Sequence, residues 1–173
     1  MIPRPDPSEF QPYYRTYIDL VPDGDVVATL RADGADAIAL LRGVTDEQAE
    51  HRYAPGKWSV KEVISHVTDT ERTFAFRAFW FARHGPGELG SIDPDPFVAE
   101  AFVDRRSFAS LVDEFEAVRA ASVALFASLA PEALARTGIA SGNRVTVRTF
   151  PFLIAGHERH HRALLRERYG LSG

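Results

Sequence analysis

Seven residues between positions 108 and 129 fix most of what this chain can become. Phe108, Leu111, Phe115, Val118, Ser122, Leu125 and Leu129 alternate spacings of three and four without a break. That spacing lines one face of a helix and is the seam by which one helix packs on others in a bundle. A strand needs a period of two, which the segment lacks. Ser107 stands where a helix N-cap belongs, and Pro131 stops the pattern.

Three further helices follow from similar signals. The first runs from about Asp25 to Gly43, with Val27, Leu30, Gly34, Ala37 or Ile38, and Leu41 on one face. Gly34 is a poor helix former and suggests that another helix comes close there. The second starts at Ser59, which with Glu62 forms an S-x-x-E capping box between Trp58 and Val63, a hydrophobic staple. It continues to about Arg83, where His84-Gly85-Pro86-Gly87 ends it. Val63, Val67, Thr70, Phe74 and Phe81 mark its inner face, and Phe74, Phe76, Phe79, Trp80 and Phe81 make its second half apolar nearly all round. A helix of that kind is buried on several sides, and a homodimer interface is one way to bury it. The fourth helix spans about Val147 to Tyr169, ahead of Gly170. Pro151 then falls just past a first turn capped by Thr146, so either Thr149 is the cap or the helix is irregular there.

Between these helices lie a loop at 44–57, a long connection at 85–103 and another at 131–145 that carries the turn signal Ser141-Gly142-Asn143. A connection as long as 85–103 is often functional, and it allows the second and third helices to run the same way. With no convincing strand, the chain reads as all-α, a four-helix bundle. Residues 1–22 read as an N-terminal arm, extended by Pro3, Pro5, Pro7 and Pro12 and tucking in the rings of Tyr13, Tyr14 and Tyr17; residues 23–173 form the single bundle domain.

Composition narrows the function classes. A net charge of −4 gives no basic excess for nucleic acid. There is no cysteine, so thiolate ligands, disulfides and a cysteine nucleophile are out, and a cytoplasmic location is expected. The proline-rich start is unlike a signal peptide, and no run reaches the roughly 18 apolar residues of a membrane span.

The chemistry-bearing residues are histidines. His157 and His161 are four apart on the fourth helix, in line with Leu153 and Leu165. Two imidazoles on a buried stripe need partners, and a divalent metal is one; a solvated cationic helix end is the other reading. His66 is the best third ligand. It lies about 10 Å into the second helix, and His161 lies about 12 Å from the far end of the fourth. Antiparallel helices would bring the two to one level. A satisfied core histidine is the competing reading for His66 taken alone. His160 is the runner-up for the second position on the fourth helix, and His51 and His84 read as surface residues. Asp69 and Glu62, three after and four before His66, could orient an imidazole or act as an outer-sphere base. Three histidines suit Zn, Ni, Fe or Mn and leave positions open for water or substrate. Arg72, Arg77 and Arg159 are candidates to hold an anionic substrate. His157-Glu158-x-x-His161 also matches the H-E-x-x-H of zinc proteases, but only 12 residues follow His161, and Leu164 stands where the extended motif needs glycine.

Trp58-Ser59-Val60-Lys61-Glu62 through His66 resembles the W-[ST]-x-x-E-x-x-x-H entry to the second helix of the DinB/YfiT-like superfamily. Asp69-Thr70-Glu71-Arg72 resembles its acidic continuation, and His157 to His161 followed by Leu165-Arg166-Glu167-Arg168-Tyr169 resembles its H-x-x-x-H fourth helix. The likeness extends over about residues 20–170. It implies an up-down-down-up bundle, a metal on His66, His157 and His161, and often a homodimer. Relatives of this kind include transferases for low-molecular-weight thiols such as bacillithiol or mycothiol, a glutathione-dependent isomerase, and proteins described as metal-dependent hydrolases. The expectation is therefore a metal-dependent thiol S-transferase or hydrolase. The alternatives are a non-catalytic metal-binding or stress-associated module, and a bundle without metal.

Overall fold

Several helix starts in this chain are set by side chains that satisfy the first free N–H groups, although the last helix, with Arg148 at its N-cap, has no such side chain. In the computed structural model, which describes residues 1–85 and 87–172, Asp25 accepts from the Val27 amide and opens α2 (Val26–Arg42), after a short α1 (Arg15–Ile18). Thr45 and Gln48 form a reciprocal capping box on α3 (Asp46–Glu50), inside what the sequence suggested was loop. Ser59 and Glu62 form the expected one on α4 (Val60–Ala82). Asp93 caps α5 (Pro94–Glu100) within the long connection, and Ser107 caps α6 (Phe108–Ser128). After α7 (Pro131–Leu134) comes a hairpin of β1 (Thr137–Ala140) and β2 (Asn143–Thr146), then α8 (Thr149–Tyr169), closed by Gly170 at φ +69°. Pro151 is the third residue of α8, so its missing N–H is one that no helix would have used. Of the expected stop after α4, Pro86 lies outside the described residues.

The contacts give the directions of the four long helices. Asp33 meets Arg159 and Asp36 meets Arg162, so α2 and α8 are parallel. Arg42 meets Asp113 while Leu30 meets Arg119, so α2 and α6 are antiparallel. His66 meets His157 and Phe81 meets Phe150, so α4 and α8 are antiparallel. The result is a four-helix bundle in up-down-down-up order.

The core is two apolar blocks with a charged layer between them. One block holds Leu30, Phe81, Phe126, Phe150 and Leu153, and the other Leu40, Val63, Phe115 and Leu165. At the level between lie buried Asp33, Glu71, Arg119 and Glu158. Arg119 donates from Nε (2.9 Å) and Nη2 (2.9 Å) to the two Glu71 carboxylate oxygens, and from Nη1 to the Leu30 carbonyl (3.1 Å). Gly34 makes room for it. A Cβ there would stand 2.8 Å from the Arg119 Cγ, so the close approach is made by a side chain and not by a helix backbone.

Two expectations shift. The buried face of α6 runs through Phe108, Leu111, Val112, Phe115, Arg119, Ser122, Val123 and Phe126, while Val118, Leu125 and Leu129 stay half exposed. A seven-residue repeat drifts about 20° per heptad around a straight helix, so the stripe leaves the core by its third heptad. The second shift is the hairpin. Ser141 (φ +52°) and Gly142 (φ +73°) make its two-residue turn, and Leu89 runs beside it, donating to the Ile139 carbonyl and accepting from Ser141. Strands this short are specified by that added segment and by the Phe81 ring packed under Gly138, not by alternation along the chain.

Residues 1–22 are less extended than the prolines suggest. They form two 3-10 turns and α1, bury Ile2, Phe10, Ile18 and Val21 in the first apolar block, and cross α8 at Gly156. A Cβ on Gly156 would lie 2.0 Å from the Tyr17 carbonyl oxygen, so only glycine admits this crossing. No helix is long and apolar enough to cross a membrane among the described residues.

Candidate metal centre

His66 sits in the second turn of α4, directed by the cap at Ser59 and by Val63 and Val67, which hold that face inward. His157, buried, and His161, half-buried, lie one turn apart on α8, between the fully buried Leu153 and Leu165. Antiparallel packing brings the three together. The His66 and His157 Nε2 atoms are 3.1 Å apart, those of His157 and His161 are 3.2 Å apart, and all three ligand atoms lie within 4.8 Å of one another.

The two spacings from His157 fit a shared ion. A metal about 2.0–2.1 Å from each nitrogen holds tetrahedral ligands roughly 3.3–3.4 Å apart and octahedral neighbours roughly 3.0 Å apart. Hydrogen bonding fits less well. The His157 Nε2 offers either one proton or one lone pair, and two ring nitrogens compete for it. The imidazoles are also in the form a metal needs. Burial pushes His66 down to about 4 and His161 down to about 3, and holds His157 well below its usual value, with the neighbouring histidines adding to the effect on the α8 pair. All three are therefore neutral at pH 7.

The same shifts set a pH dependence for the metal-free protein. In the unfolded chain these imidazoles take protons near pH 6.5. The folded state refuses them until about pH 4 for His66. Between those values the unfolded state binds more protons, so stability falls as pH falls. Glu158 acts in the opposite sense, because burial raises it to about 7 against the pull of Arg162 and Arg119. Three imidazoles outweigh one carboxyl, so melting temperature should drop between pH 6.5 and pH 4 in chelator. An unchanged melting temperature across that range would contradict the buried, neutral trio.

The histidines form one wall of a cavity of about 360 Å³. Tyr14 and Tyr17 from the arm, Trp58 and Phe74 from α4 and its approach, and Phe97 and Val98 from α5 supply much of its apolar lining. Trp58 packs on His66 with ring centroids 4.8 Å apart, and Tyr17 meets His157 edge-on at 5.3 Å. Asp69 is also in the wall, where Arg72 donates to it at 3.0 Å. Glu62 is not. Its carboxylate accepts from the Ser59 amide (2.6 Å) and from Arg52, so its position belongs to the cap and not to the histidines. His160 reaches the cavity rim beside Tyr17 but stays exposed, outside the trio. His51 and His84 are exposed as expected. Glu158 points away from the cavity into the charged layer, toward Arg162 (3.2 Å), so the protease-like motif lacks its base at the histidines. The arm and α5 contributions had a sequence signal only in Tyr13, Tyr14 and Tyr17 and in the length of the 85–103 connection.

The sequence profile described as the DinB superfamily matches residues 29–165, most of the chain and all three histidines. The chain belongs to the DinB superfamily. Among solved DinB-like structures, YfiT from Bacillus subtilis superposes with a TM-score of 0.68 at 17% identity, over 91% of this chain and 99% of its own. It is reported as a probable metal-dependent hydrolase with an unusual four-helix bundle topology. The mycothiol-dependent maleylpyruvate isomerase superposes with a TM-score of 0.68 at 13% identity, over 84% of this chain and 61% of its own. At these identities the likeness speaks for the fold. No protein of curated function matches the sequence.

Proposed function

We propose that this DinB protein is a metal-dependent enzyme that activates a thiol or a water, as a thiol S-transferase or a hydrolase. The observation that carries the reading is the convergence of three neutral Nε2 atoms on the wall of a mostly apolar cavity. A divalent ion there, Zn, Ni, Fe or Mn, would lower the pKa of a bound thiol or water so that it is a nucleophile near neutral pH. The protein's own groups supply the rest. Burial keeps the ligands unprotonated, and Trp58, Phe74 and Tyr17 fix the rings and exclude bulk water. In this reading Asp69, which lies in the same wall and is paired with Arg72, takes up the proton that the nucleophile releases. YfiT, reported as a probable metal-dependent hydrolase, and the mycothiol-dependent maleylpyruvate isomerase make both branches reasonable.

The test is turnover of small electrophiles with low-molecular-weight thiols, and of esters with water, by protein loaded with each metal. Asp69→Asn should keep the metal and lose 10²–10⁴-fold in rate, the usual contribution of a general base. Metal retention with no turnover on any substrate would leave the non-catalytic module standing instead.

The reading includes a homodimer and a cytoplasmic location. Phe76 and Phe79 remain 49% and 43% exposed on α4 and face a groove with Val118 and Leu125 of α6. A second copy would cover this apolar surface. Sedimentation equilibrium should give twice the chain mass, reduced to one by Phe76→Glu with Phe79→Glu; a wild-type monomer at all concentrations would refute it.

A further inference from the structure

Arg77 is 4% exposed, yet no carboxylate among the described residues lies within ion-pair distance of it. The other arginine candidates are accounted for. Arg72 is paired with Asp69 and Glu114, and Arg159 with Asp33. The Arg77 Nη2 donates to the Gly90 carbonyl (2.5 Å) and to Ser141 Oγ (3.1 Å). Neutral acceptors hold the guanidinium in place without neutralising it. A buried cation without a counter-ion is costly, and guanidinium stays charged.

Its location says what the counter-ion is for. Arg77, Ser141 and Tyr14 all line the cavity that contains the histidine trio. His66, Thr70, Thr73 and Arg77 follow one another at spacings of four, three and four along α4, and all four line that cavity. One wall is thus a single helical stripe with a metal ligand at one end, two threonines between, and an unpaired cation at the other. Eleven residues rise about 16 Å, and helical side chains lean toward the N-terminus, which brings the guanidinium back toward His66 and leaves a gap on the order of 10 Å.

We propose that Arg77 is the anion-recognition residue of this cavity, and that the molecule bound there is an elongated carboxylate whose reacting end lies at the histidines. This rests on the metal-site reading for the reacting end, but not for the carboxylate end. The single guanidinium matches one negative charge, which suits a carboxylate rather than a dianionic phosphate, and Nη2 is already engaged, so Nε and Nη1 are the donors left for it. The apolar walls between, with Phe74, Ile92, Phe97 and Val98, suit a hydrocarbon spacer.

The experiment has two arms on the full chain. In the first, metal-free protein is titrated calorimetrically with octanoate and with 1-octanol. Octanoate should bind at least tenfold tighter; Arg77→Met should remove that preference while leaving octanol unchanged, and Arg77→Lys should restore part of it. In the second, protein loaded with Co(II) is titrated with 8-mercaptooctanoate, 8-mercaptooctanol and 3-mercaptopropionate, read by the thiolate-to-metal absorption band. The long acid should bind at least tenfold tighter than the long alcohol, and the short acid should gain nothing from Arg77. Equal binding of acid and alcohol by wild-type protein in the first arm, or a preference that survives Arg77→Met, overturns the assignment whether or not the variants fold well. Absence of any thiolate band in the second arm, with the octanoate preference intact, refutes the thiol chemistry and keeps Arg77 in its role.

Discussion

Glu71→Ala should lower the unfolding free energy by about 3–5 kcal/mol, the cost of removing one partner from a buried ion pair. Glu71 and Arg119 are 2% and 4% exposed at the side chain, and their bidentate contact joins α4 to α6 inside the bundle. Alanine leaves the Arg119 guanidinium with the Leu30 carbonyl as its one hydrogen-bond acceptor among the described residues, in a layer where water cannot reach it. Against a typical total of about 5–15 kcal/mol, that loss is a large share of stability. Replacing both partners, Glu71→Leu with Arg119→Met, should cost much less, because neither member of the pair is then left charged without the other, and Glu158 keeps Arg162. Urea denaturation with unchanged slope measures both. A single substitution costing under about 1 kcal/mol would mean that the pair is solvated, contrary to the packing described.

His157→Ala should lower metal affinity by more than 100-fold. Loss of a group that merely orients a ligand costs about 10–100-fold, and His157 is the central member, with its Nε2 next to both other rings. Tyr17 and Phe74 meet its ring edge-on, so the substitution also opens a gap against the arm. His160→Ala is the control: that ring is exposed, outside the trio, and its loss should leave affinity within a few-fold. Competition with a chromophoric chelator gives both values. Equal losses for the two variants would remove His157 from the ligand set.

What could be read from the sequence was local. Ser59 with Glu62, Ser107, Asp25 and Gly170 mark their helix ends by satisfying or terminating backbone hydrogen bonds within a few residues, so each is legible without the rest of the fold. The convergence of His66 with His157 and His161 was legible for a different reason: equal depth in two antiparallel helices is simple arithmetic on helical rise. The box at Thr45 and Gln48 carried the same signal as Ser59 and Glu62, and it sits in a stretch read as loop. The Glu71–Arg119 pair left no such mark. Its partners are 48 residues apart, and their registry depends on how α6 rotates against α4, which the heptad-like stripe of α6 misplaced. Glu62 shows the complementary failure. Proximity to His66 in sequence suggested a role at the metal, yet a residue at the third position of a capped helix turns back to the cap. Arg77 could be named from the sequence, but that it lacks a counter-ion and borders the cavity emerges only when Gly90 and Ser141 arrive from two separate connections.

The most direct measurement of the central claim is a titration of chelator-treated, purified protein with Zn(II), Ni(II) and Mn(II), with elemental analysis of the untreated material beside it. The account predicts one divalent ion per chain, bound in the as-purified protein or taken up on titration, with the site lost in His66→Ala, His157→Ala and His161→Ala alike. Protein that carries no metal and takes up none of the three, while remaining folded, would contradict it.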